Sequence, residues 1–150
     1  MRLTIHLKTY SNFRGFPSFA IILNGNILTN TASCKNDNII LEYNNLQLDD
    51  TNFLHIVHYD KKSNYTEVVD GKVISDVAVE INKIEIDGIQ ISEKYLWTQY
   101  FFPNWSYPPN PITPMMNNRY LGFNGTWQFI FPRDYKGFIV SHYVDEKFLD

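Results

Sequence analysis

The sequence predicts an all-β protein, a two-sheet antiparallel β-sandwich of the jelly-roll type, and three observations carry that prediction. Apolar residues recur at every second position, as a half-buried strand requires. Four Asn-Gly or Asp-Gly pairs punctuate the chain, the residues a tight hairpin turn needs when both central positions take positive φ. No stretch shows sustained helical spacing, so about nine to eleven short strands are expected.

The elements follow in chain order. Leu3, Ile5 and Leu7 alternate with Thr4, His6 and Lys8 to give a first strand. AIILNGNIL places Asn24 and Gly25 between two apolar runs and predicts a hairpin. Ile39, Leu41 and Tyr43 share a face, and residues 44–52 could hold a helical turn. Asp70 and Gly71 mark another turn. From Val77, Val79 and Ile81 to Ile84 and Ile86 the apolar phase jumps from odd to even positions, which predicts one inserted residue, a bulge or bend, near Asn82. KIEIDGIQI predicts a hairpin at Asp87 and Gly88, and YLGFNGTWQF predicts another at Asn124 and Gly125, after which Trp127, Phe129 and Phe131 share a face. Five of the seven prolines lie between Pro103 and Pro114, and proline lacks the amide donor of a central strand, so residues 102–118 read as a proline- and aromatic-rich excursion, ordered or at a sheet edge, in a single domain spanning 1–150.

Composition narrows the function. A net charge of −3, with 13 basic and 16 acidic residues dispersed along the chain, leaves no polybasic run to follow a phosphate backbone, which argues against nucleic acid. Apolar runs of a few residues are far short of the roughly 20 that cross a bilayer as a helix, and the start, MRLTIHLKTY, has no export-signal pattern. Cys34 is the one cysteine, so packing rather than an intrachain disulfide must supply stability. It also lacks a signature of a catalytic thiol, and no nucleophile elbow, P-loop or dinucleotide fingerprint occurs. An enzyme is therefore not expected.

Metal chemistry finds little purchase. His55 and His58 are three apart, which in a strand sends them to opposite faces. Calcium is the metal the chain could best hold, through scattered loop oxygens of Asp49, Asp50, Asp60, Asp70, Asp76, Asp145 and Glu146, although no contiguous calcium loop exists. No cofactor is expected.

Aromatic residues are the strongest functional signal. Tyr95, Trp97, Tyr100, Phe101, Phe102, Trp105 and Tyr107 crowd one short segment. As a strand, that segment puts Tyr95, Trp97 and Gln99 on one face and Leu96, Thr98 and Tyr100 on the other, so not every ring can point inward. Packing is favoured for Trp97 and Phe102. Trp105 and Tyr107, held by Pro103, Pro108 and Pro109, stand open between packing and a rigid platform for a sugar ring or a neighbouring subunit. The candidate aromatic anchors are Trp105, Tyr107, Phe102 and Tyr100.

The order INKIEIDGIQIS, LWTQYFFPNWSYPP, YLGFNGTWQFIFP resembles a family of small β-sandwich proteins of tailed phages of the T4-like and marine type, themselves similar to carbohydrate-binding modules. The resemblance covers residues 77–132 by motif and the N-terminal half by pattern. Its structural motif falls on Asp87, Gly88, Trp97, Pro103, Trp105, Gly122, Asn124, Gly125 and Trp127. It implies a non-enzymatic virion accessory protein, made in the host cytoplasm without a signal peptide, that docks through aromatic loops and sheet edges on other virion proteins or copies of itself. The alternative is a carbohydrate-binding module that stacks Trp105 or Tyr107 on a host-surface glycan, with or without calcium.

Overall fold

A computed structural model describes residues 1–104, 114–116 and 118–138. Two antiparallel sheets pack face to face. The first contains β1 (Leu3–Tyr10), β4 (Asn38–Tyr43), β8 (Ala78–Ile86), β9 (Ile89–Gln90) and β12 (Tyr120–Leu121), in the order β12-β8-β1-β4 with β9 paired to β8. The second runs β11 (Met115–Met116), β10 (Tyr100–Pro103), β13 (Gly125–Pro132), β5 (Thr51–Tyr59), β2 (Ser18–Leu23) and β3 (Asn26–Thr31). A separate ribbon pairs β6 (Glu67–Val69) with β7 (Lys72–Ser75).

The alternation read from sequence sorts the strands' side chains as expected. Leu3, Ile5 and Leu7 from the first sheet and Phe19, Ile21, Leu54, Ile56, Trp127, Phe129 and Phe131 from the second form one buried cluster. Trp127 stacks near-parallel on Phe129 at 6.2 Å between ring centroids. Burial of such rings is the main term holding the two layers together.

Three of the four expected turns have the required geometry. Asn24–Gly25, Asp70–Gly71 and Asp87–Gly88 all carry positive φ at both residues, joining β2 to β3, β6 to β7 and β8 to β9. The inserted residue is also present: His6 pairs with Lys83 and Leu7 with Ile81, which leaves Asn82 unpaired in β8 as a bulge that turns it outward.

Three expectations are corrected. Asn124 and Gly125 do not make a hairpin, because β12 and β13 belong to different sheets and residues 122–124 carry the chain across. Asn124 instead bonds Lys61 reciprocally, accepting from its backbone N–H at 2.8 Å and donating Nδ2–H to its carbonyl at 3.0 Å. Gly125 is required for close approach: a Cβ there would lie 2.4 Å from the Phe102 carbonyl oxygen. The segment read as a strand around Tyr95 begins as a short helix, α1 (Glu93–Trp97), whose N-terminus is capped by Ser92 Oγ accepting from the Tyr95 N–H at 3.2 Å. Its period places Leu96 in the core and Trp97 outside. Residues 44–50 hold no helical turn; Asn45 takes a φ of 55°, which a helix cannot continue. The proline-rich stretch, read as an excursion or an edge, supplies edge pairing where it is described: Phe102 and Pro103 end β10 and Met115 of the edge strand β11 pairs back on Phe101.

Candidate functional site

The bulge at Asn82 and the edge strand β12 build a small polar pocket on the outer side of the first sheet. Its cavity is about 180 Å³, lined by Glu80, Asn82, Trp97, Asn118, Arg119 and Tyr120. Each lining residue has a local reason to be there. Glu80 points outward because Val79 and Ile81 on either side are buried, and Tyr120 lies opposite it in the register of β12 with β8. The Arg119 carbonyl accepts from Ile81 N–H at 2.9 Å, fixing the backbone at the mouth of the pocket. Asn118 Oδ1 accepts from Tyr120 N–H at 3.0 Å. Trp97 leaves the end of α1 with 43% of its surface exposed.

Charge in the pocket is balanced, with one cation and one anion. The Arg119 guanidinium sits over the Trp97 ring at 5.2 Å and reaches the Asn82 carbonyl at a long 3.5 Å. Glu80 accepts from the Tyr10 hydroxyl at 3.2 Å. Tyr10 packs against Tyr120 at 5.4 Å, and Tyr120 donates to Asp76 at 3.4 Å. Burial raises both phenol pKa values, and the neighbouring carboxylates Glu80 and Asp76 raise them further. Both hydroxyls therefore stay protonated and hold the carboxylates as donors. Behind them, Asp76 is anchored by Lys61 at 2.6 Å and by Thr66 at 2.8 Å.

The anchors expected from sequence are divided by the structure. Trp105 and Tyr107 lie outside the described residues. Tyr100 and Phe102 project from β10 on the outer face of the second sheet, 6.2 Å apart, in a row with Gln128 and His55, whose side chains share a 2.9 Å hydrogen bond. Packing is the expectation from sequence for Trp97 and Phe102, yet both are exposed: the helical turn swings Trp97 outward, and strand alternation assigns the inward position to Phe101. Among the motif residues, Pro103 pairs with Gly125 and Trp127 is wholly buried. The Asp87 carboxylate accepts from Arg2 N–H at 2.7 Å and from the Tyr135 hydroxyl; the Tyr135 bond first, then the Arg2 bond, holds its pKa down. The Gly122 carbonyl receives Lys61 Nζ. Glu80, Asn118, Arg119 and Tyr120 do not stand out in the sequence; the phase jump at Asn82 is the one signal that points to their neighbourhood.

No three His, Cys, Asp or Glu side chains converge among the described residues. His55 and His58 occupy opposite faces of β5, and Asp60, Asp76 and Asp50 pair with Lys62, Lys61 and Arg133 instead. Asp145 and Glu146 lie outside the described residues.

No known sequence family and no curated protein matches the chain. Two solved structures do. One is vCBM60 in complex with galactobiose, with a TM-score of 0.51 at 14% identity over 86% of this chain and 97% of that one. The other is a selenomethionine form of vCBM60, described with a circular permutation linking two families of calcium-dependent carbohydrate binding modules, with a TM-score of 0.53 at 11% identity over 85% and 88%. At these identities the likeness is one of fold: the chain has an all-β sandwich similar to that of vCBM60.

Proposed function

We propose that the chain is a non-catalytic glycan-binding module and that the pocket between Trp97 and Glu80 is its sugar site. The observation that carries this reading is the composition of the pocket: an exposed indole beside a full donor, a full acceptor and two carboxamides. Sugars present apolar ring faces and directional hydroxyls together, and a site with one aromatic wall and converging polar groups matches both. The galactobiose bound by the structural neighbour vCBM60 supports the same class of ligand. The virion docking role has only the sequence resemblance behind it, so the glycan reading is the one adopted.

The test is calorimetric or NMR titration of the full chain, with calcium present, against a panel of neutral glycans that includes galactobiose. Binding is expected, and Trp97→Ala is expected to abolish it while the far-UV spectrum and melting temperature stay near those of the parent, because Trp97 lies outside the core. A blank panel, or full affinity in Trp97→Ala, would remove the reading. Repeating the titration with EDTA measures any calcium requirement.

A further inference from the structure

We infer that the pocket takes a single neutral pyranosyl unit, a chain end or side branch, rather than a run of an extended polysaccharide; this rests on the glycan reading of the same pocket. Size is the first argument. A cavity of about 180 Å³ is below the roughly 300–1,000 Å³ of pockets that enclose larger ligands. The second argument is the aromatic surface. Successive sugars along a chain need successive open rings, but among the described residues the pocket offers one indole, and Arg119 lies over its ring at 5.2 Å. Tyr120, the other ring at the pocket, is occupied by Tyr10.

Charge defines the unit. Glu80 offers only acceptors, and with one oxygen on Tyr10 its remaining lone pairs can take two neighbouring hydroxyls. Arg119 offers only donors, and among the described residues it has no carboxylate partner. A neutral ring that donates to one wall and accepts from the other satisfies both. A uronic acid would satisfy Arg119 and leave its own charge facing Glu80.

Titration of the full chain with methyl pyranosides of glucose, galactose, mannose and xylose, beside the matching di- and tetrasaccharides and galacturonic acid, separates the outcomes. The expected result is a monosaccharide glycoside binding within about threefold of its own tetrasaccharide, with galacturonic acid weaker. Glu80→Gln, which keeps size and shape, is expected to lower that affinity by about tenfold or more. Affinity climbing by about tenfold or more with chain length, a preference for galacturonic acid, or an unaffected Glu80→Gln variant would each overturn the single-unit inference and leave glycan binding standing. Silence from every sugar at every length would overturn both.

Discussion

His58 illustrates how one buried group ties the pocket's frame to pH. It is fully buried on the inner face of β5, with its Nδ1 bonded at 2.8 Å to the Leu121 carbonyl in β12. The bond therefore links the two sheets next to the pocket strand. Burial first, with the nearby Lys61 charge adding and Asp76 opposing, lowers the His58 pKa to about 4. The folded value lies below the unfolded one near 6.5, so between those limits the unfolded chain takes up the proton and the folded chain does not. Stability is complete above that window and is lost as pH falls toward 4, by on the order of 3 kcal/mol from this group. Urea denaturation at pH 7 and pH 4.5 should show the loss, and His58→Gln should flatten the difference between the two. An equal pH response in parent and variant would mean that other groups govern acid sensitivity.

At the scale of elements, two glycines that look alike in sequence do different work. Gly71 turns the β6-β7 ribbon at a φ of +76°, and a Cβ added there would meet nothing within 4 Å, so Gly71→Ala should cost only the left-handed strain of about 1 kcal/mol. Gly125 faces the Phe102 carbonyl oxygen at 2.4 Å and Pro103 Cα at 2.8 Å from where a Cβ would stand. Backbone on that side has no way to yield without parting β10 from β13, so Gly125→Ala should cost about 3 kcal/mol. Thermal melts of the two variants check the ranking. The sequence makes both sites look like hairpin turns because Asn-Gly and Asp-Gly encode local backbone freedom. Whether the following strand pairs with the preceding one or crosses to the other sheet depends on long-range partners such as Lys61, which local pattern does not contain. The same limit explains α1: Ser92 is a readable cap, but a helix of five residues has too little periodicity to compete with the alternating pattern around it. The bulge at Asn82 is legible because a shift of phase is itself a local signal.

For the whole molecule, the two outer faces of the sandwich differ in chemistry, and the difference decides where ligand should sit. The first sheet turns His6, Lys83 and Glu85 to solvent in a polar cluster, with Lys83 2.6 Å and His6 3.8 Å from Glu85, and ends at the Glu80–Arg119 pocket. The second sheet turns outward Phe53, Tyr100, Phe102 and Ile130, with the His55–Gln128 pair among them. Aromatic content alone draws attention to the second face, and sequence reasoning follows it to Tyr100 and Phe102. Hydrogen-bonding capacity favours the first, because a sugar loses bonds to water on binding and must regain them from directed donors and acceptors. Those groups converge in the pocket, whereas beside Tyr100 the Gln128 and His55 side chains bond each other. Simultaneous Tyr100→Ala and Phe102→Ala substitution should therefore leave glycan affinity within about twofold of the parent, since neither ring lines the pocket. Side-by-side titration of this double variant and Trp97→Ala reads the difference directly. Should the double variant lose binding and Trp97→Ala keep it, the sugar site belongs on the aromatic sheet face and the pocket at Asn82 is a structural consequence of the bulge.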